Sequence, residues 1–357
     1  MSVDLTAFRK EAQSNAERRE MACGMAFEGD RPIESSQEMS TASARKPKST
    51  ERFLEVCSRL DASPAMQQIA AALDRGERAT LEGVWGSSCA LIAARLAAMQ
   101  QSLASGLVAV VLPRIVDVDE FYEDLRLFVS PQEMTQVARL PAWEGQITDH
   151  PLNDEIFGER LRTVKRLHER SEPTRILVTC IQALLQPTIS IRTLDASRRR
   201  FRVGDRIDID EFRRWLVSHN FEATTAVEMP GEFSLRGGIL DLFAADAEDP
   251  IRIELFDDEI ASIRRFDRAT QRSLDSLESC DVTVVGDFSG ENAYLTDVLP
   301  RESWFALLEP DAIVGEGNQY LQRTDRPDEF HPIDAVMQRL MQYPIVSLCG
   351  VATAREA

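Results

Sequence analysis

The chain has 357 residues, enough at roughly 100–200 residues per domain for two or three domains with real hydrophobic cores. Apolar residues make up 43% and charged residues 28%, the balance of a folded, water-soluble protein, which excludes a fibrous repeat or wholesale disorder. The 59 acidic against 41 basic residues leave a formal charge of -18, a field that repels nucleic acid and anionic membrane at a distance, so any contact with either must be local.

Residues 1–50 mix charges with Ser, Thr and Ala and show no sustained apolar period, which predicts a disordered leader. Apolar spacing at three and four begins near Arg52, and from there strands and helices alternate. ATLEGV (79–84) reads as a strand, CALIAARLAAMQQ (89–101) as a helix and LVAVVLP (107–113) as a buried strand. DVDEFYEDLRLF (117–128) is helical, QVARLP a short strand, NDEIFGERLRTVKRLHER (153–170) a long helix and RILVTC (175–180) another buried strand. That order predicts βαβ crossovers and a parallel, doubly covered sheet.

The rhythm changes after Gln186-Pro187. A basic stretch, SRRRFRVGDRI, precedes the helix DIDEFRRWLVSHNF (208–221), after which the pattern alternates with period two. GEFSLRGGILDLF and IRIELFDDEIASIRRFD each divide around a turn dipeptide, Gly237-Gly238 and Asp257-Asp258, and read as β-hairpins. From about Ser279 buried strands return in DVTVVG, WFALLEP and PIVSLCG. The simplest account is a parallel-sheet domain interrupted by an α+β domain: first part 51–186, insert 187–278, second part 279–357, the last cut short at VATAREA.

The six cysteines form no CxxC pair, and no histidine lies beside them, so neither a disulfide framework nor a zinc site is expected. Without a secretory or membrane-spanning stretch, the expected compartment is the cytoplasm.

At 83–90 the sequence runs Gly83-Val84-Trp85-Gly86-Ser87-Ser88-Cys89-Ala90, in the strand–loop–helix place where a P-loop reads G-x-x-x-x-G-K-[ST]. The second glycine, the lysine and the Mg²⁺-binding hydroxyl are replaced by Ser88, Cys89 and Ala90, which removes phosphate closure, charge balance and metal ligation together. The strand ending Leu308-Glu309-Pro310 has leucine where a nucleotide-dependent motor carries aspartate. The expectation is a P-loop-NTPase-like, helicase-like frame with degenerate nucleotide motifs and no catalytic, metal or cofactor-binding residues.

The hairpins, with the 83–90 loop and the LLEPDAI segment, resemble one family from about residue 51 onward: the bacterial transcription-repair coupling factors, in their N-terminal, UvrB-like region. The resemblance implies an inserted domain that binds UvrA, the damage-recognition protein of nucleotide excision repair. It also implies that RNA polymerase and duplex DNA are reached only through other parts, among them a motor using ATP and Mg²⁺. UvrB itself, a nucleotide-dependent repair helicase subunit, is the alternative. Its intact P-loop and long tyrosine-rich hairpin are not found here, since only AWEGQITDHPLNDEIFGER separates Pro141 from Leu161, too little for a strand-clamping hairpin.

In a period-two hairpin Phe233 and Leu235 share one face, while Glu232, Ser234 and Arg236 share the other. Arg236 then projects beside a Gly-Gly turn, ready for a charge-assisted contact with a partner carboxylate. The resemblance places the arginine of the F-x-x-R-G motif, Arg236, in UvrA binding; geometry adds Phe233 and Arg252 as partner-binding candidates. An internal pairing of Arg236 with Asp241 or Glu254 is the competing expectation. The arginine run 198–202 is a second candidate surface.

Overall fold

The computed structural model describes residues 56–101, 106–143, 152–170, 173–285 and 292–350; the leader expected over 1–50 and the end of the chain after 350 lie outside them. Helix α1 (Pro64–Asp74) starts at Ser63, whose hydroxyl accepts the Met66 N–H at 3.3 Å, with proline in the first turn. There follow β1 (Arg78–Glu82), α2 (Ser87–Gln101), β2 (Val108–Leu112), α3 (Val116–Phe128), β3 (Val137–Leu140), α4 (Glu155–Glu169) and β4 (Ile176–Cys180). Strands β2 and β4 are buried at every position, as unbroken Val, Leu and Ile runs require when helices cover both faces.

The chain then leaves this sheet. It forms β5 (Arg198–Arg202), α5 (Ile209–Ser218), and β6 to β11 at Glu222–Ala223, Glu232–Arg236, Ile239–Leu242, Ile251–Phe256, Glu259–Phe266 and Ser273–Leu277. Strand β12 (Ser279–Thr283) pairs antiparallel with β5. The arginine run is therefore a strand. Its alternate residue Phe201 is buried against Phe212 of α5, ring centroids 5.1 Å apart.

After β12 the chain returns with β13 (Trp304–Leu308), α6 (Pro310–Arg323), α7 (Ile333–Leu340) and β14 (Ile345–Cys349). These two strands enter the first sheet between β1 and β2, giving the all-parallel order β1-β14-β13-β2-β4-β3. Residues 222–277 build a second six-stranded sheet, ordered β11-β10-β9-β8-β7-β6. Its inner face carries Phe233, Leu240, Leu242, Ile253, Ile260 and Ile263, which join the buried residues of the first sheet and Leu216 of α5 in one continuous core.

The two sheets are tied through α4. Lys165 Nζ donates to Asp246 Oδ2 at 2.7 Å and to Thr283 Oγ1 at 2.9 Å. Two turns earlier, Gly158 lets the helix approach so closely that a Cβ there would strike the Ala245 carbonyl oxygen. Gly158→Val should lower stability by about 1–3 kcal/mol through overpacking. By contrast Gly315→Ala in α6, where an added Cβ meets nothing within 4 Å, should raise it by about 0.5–1 kcal/mol; thermal unfolding of the two variants reads both signs.

Candidate functional site

Two places in the fold were singled out by the sequence. The first is the carboxyl end of the parallel sheet, where doubly wound sheets place their ligands. Gly83 and Gly86 both adopt positive φ, +77° and +57°, which gives the loop a tight turn. Three of its backbone donors are committed elsewhere. The Val84 N–H donates to the Cys349 carbonyl at 3.1 Å, the Cys89 N–H to the Gly86 carbonyl at 2.9 Å, and the Trp85 N–H to the Ser88 hydroxyl at 3.1 Å. Ser88 Oγ in turn donates to the Trp85 carbonyl at 2.6 Å.

Across the turn, Glu309 closes the end of β13 in the left-handed region, φ +49°, and its Oε1 accepts the Gly350 N–H at 2.6 Å. Leu308 is buried in the strand. Cys89, standing where a P-loop has its lysine, is buried; desolvation, then Glu309 and Asp124, push its thiol up to about 12. Cys349 is raised by burial and then by Glu309, Glu82 and Asp311. The carboxylates that add to both shifts after burial would also oppose an anion brought to the turn. Ala90 is fully buried and offers no hydroxyl.

The second place is the outer face of the second sheet. Gly237 and Gly238, φ +54° and +85°, form the two-residue turn that matches hairpin twist only with positive φ at both positions. Arg236 lies directly before it, exposed, with no ion pair or side-chain hydrogen bond among the described residues. The internal pairing weighed for it does not form, because both carboxylates are taken. Asp241 binds Arg252 bidentately at 2.7 and 2.8 Å, and Glu254 accepts from Arg264 at 2.7 Å and Ser262 at 2.8 Å.

The other two candidates need correction. Phe233 is 1% exposed; its period-two position turns it into the core, so it supports the hairpin from below and is not on the surface. Arg252 does not join Arg236, since its guanidinium is held by Asp241 and lies 4.6 Å from the Phe266 ring centroid. What the sequence reading passed over is Phe256, 76% exposed, and Ile239, 40% exposed. Arg236 pairs with Ile239 and Ile239 with Glu254, and Phe256 lies two residues beyond Glu254 on the same face. The unpaired cation and both apolar side chains thus meet at one end of the sheet. Period-two parity from Arg252 would have placed Phe256 on the outer face.

The arginine strand is largely satisfied internally. Arg198 reaches Glu169 at 3.2 Å and Asp281 at 3.3 Å, Arg200 reaches Asp281 at 3.3 Å, and Arg199 lies 4.9 Å from the Trp215 ring centroid. Among the described residues there is no group of three or more His, Cys, Asp or Glu that could hold a metal ion, all five cysteines are free, and no helix is long and apolar enough to cross a membrane.

Comparison with known proteins bears on the second sheet. Residues 200–288 match the UvrB interaction domain family, a span that contains both hairpins and all of the β5–β12 ribbon but the first two residues of β5. That part of the chain is therefore similar to UvrB interaction domains. The chain is similar to the transcription-repair-coupling factor of Staphylococcus aureus (strain bovine RF122 / ET3-1), 33% identical over 174 residues, 49% of this chain and 14% of the relative. It is also similar to the protein of the same name from Bacillus subtilis (strain 168), 36% identical over 128 residues, 36% of this chain and 11% of the relative. The resemblance to the UvrB-like region of that family, read from the hairpins, stands. The matched part is a small fraction of the length of those relatives.

Asp124 on α3, near Cys89, has its carboxyl raised from 3.8 to about 6 by burial and then by Glu120. The folded state binds this proton more tightly than the unfolded one, so its stabilising effect is present below about pH 4 and is lost as pH rises through about 6. Asp124→Asn should melt at higher temperature than the parent at pH 7.5, with the difference gone by about pH 4; a pH series of thermal melts checks the sign.

Proposed function

We propose that this chain is the UvrA-recruiting adaptor module of a transcription-repair coupling factor, joining stalled RNA polymerase to nucleotide excision repair in the cytoplasm. The observation that carries this reading is the unpaired Arg236 on its Gly-Gly turn, flanked by exposed Ile239 and Phe256, inside the UvrB interaction domain. Interfaces concentrate their energy in a few arginines and aromatics set in desolvated surroundings. A free guanidinium at the end of a row of exposed apolar side chains is such an arrangement, and it can grip a partner carboxylate without first breaking an internal pair.

On this reading the UvrB-like body is a helicase-type domain interrupted by the UvrA-binding domain. Its P-loop counterpart no longer handles nucleotide: the turn's donors are spent internally and the flanking carboxylates oppose phosphate. RNA polymerase, duplex DNA, ATP and Mg²⁺ then belong to other parts of the coupling factor. The module contributes recognition and the motor contributes work.

Arg236→Ala and Phe256→Ala should each weaken UvrA binding by about 30-fold, near 2 kcal/mol, in calorimetric titrations, while Arg200→Ala, on a surface ion pair, should change it less than about threefold. Unchanged affinity in the first two variants, with the thermal melt intact, would refute the site. A fluorescent ATP analogue titrated to about 100 μM, weaker than about 5 kcal/mol of binding, should give no saturable signal; a saturable one would reinstate the nucleotide-dependent UvrB-type alternative.

A further inference from the structure

Resting on the partner surface proposed above, we infer that Glu259 is the second charged determinant of that surface and sets the orientation in which the partner docks. In register, Phe256 of β9 stands directly opposite Glu259 of β10, and directly opposed residues share a face. The end of the sheet therefore presents, strand by strand, Arg236, Ile239, Phe256 and Glu259: a cation, two apolar side chains and an anion. Three strand spacings, about 14 Å, and a two-residue offset along the strands separate the two charges.

The neighbouring charges cannot substitute for these two. Arg252 and Asp241 neutralise each other, as do Arg264 and Glu254, and Arg206 beside the turn reaches Asp258 at 3.3 Å. Glu259 is exposed and, like Asp257 in the turn before it, has no ion pair or side-chain hydrogen bond among the described residues. Its backbone is nevertheless fixed, bridged on the far side to Arg206 and continued by Ile260, whose N–H donates to the Asp205 carbonyl at 2.8 Å. A charge held on a paired strand and left uncompensated loses little conformational freedom on meeting its complement.

The partner that fits is a protein ridge offering a carboxylate, an apolar projection and a basic side chain in that order. A reversed approach would set like charges against each other at both ends, which is how charged rims enforce register. A polyanion such as a nucleic acid would satisfy Arg236 and be repelled by Glu259 and Asp257, so the strip selects a bipolar protein surface.

The test uses the full chain and purified UvrA in calorimetric titrations near 0.1 M salt, with thermal melts of each variant. Glu259→Arg should weaken binding at least about tenfold and Glu259→Gln about threefold, the larger loss reflecting juxtaposed like charge. Raising salt from about 0.05 to 0.3 M should slow association of the parent more than that of Glu259→Gln, since screening removes a steering term the variant no longer has. Binding of Glu259→Gln and Glu259→Arg within twofold of the parent, or tighter, while Arg236→Ala binds weakly, overturns this inference and leaves the recruiting site standing. Unchanged binding in Arg236→Ala and Phe256→Ala as well overturns both. Should Glu259→Arg melt well below the parent, Glu259→Gln and its salt dependence decide alone.

Discussion

Everything in this molecule hangs on the pairing of β13 with β2 and of β14 with β1, contacts between segments separated by the whole second sheet. Strands β1 and β2 are not neighbours in the finished sheet; β14 and β13 fill the gap between them. The parallel sheet is thus incomplete until residues after 304 have returned, and long-range parallel pairing must offset the loop closure before it yields any burial. The segment that builds the second sheet is held at both its ends by strands of the first, and α4 clasps it again through Lys165 and Gly158. Such an anchorage suits a surface that must be presented to a partner in a fixed orientation.

The same return of the chain decides the fate of the phosphate-loop counterpart. Because β14 runs beside β1, the Cys349 carbonyl is available to the Val84 N–H; because β13 runs beside β14, Glu309 is available to Gly350. Backbone donors that could have met an anion instead close the carboxyl edge of the sheet, and the carboxylate that completes the closure sits where negative charge opposes phosphate. The replacement of the lysine by Cys89 fits this packing: a small, buried, neutral thiol matches a dry helix start, whereas an ammonium ion there would need a counter-ion or water.

On the second sheet the informative quantity is compensation. Its outer face is rich in charge, yet Asp241, Arg252, Glu254 and Arg264 are consumed in two cross-strand pairs, each of which fixes side chains and removes net field. What is left over at one end, a free guanidinium and a free carboxylate around two exposed apolar groups, differs from its surroundings by being unspent. The paired charges serve the unpaired ones by removing competitors for them.

The sequence by itself determined the elements. Unbroken Val, Leu and Ile runs had to become buried strands, apolar residues at three and four had to become helices, and the dipeptides Gly237-Gly238 and Asp257-Asp258 had to become hairpin turns, because those patterns leave the backbone few alternatives. It also marked Arg236 through its position beside a glycine turn, and the departure from a P-loop pattern through Ser88, Cys89 and Ala90. It could not rank charges, since whether an arginine is free depends on which carboxylate lies across the strand. That register assigned Arg252 to Asp241 and left Arg236 and Glu259 alone. Nor did local polarity reveal that the arginine run is a strand, because the partner that orders it, β12, is distant in sequence. Burial of Phe233 and exposure of Phe256 were likewise settled by which face met the core, a choice made by packing between segments and not within any one of them.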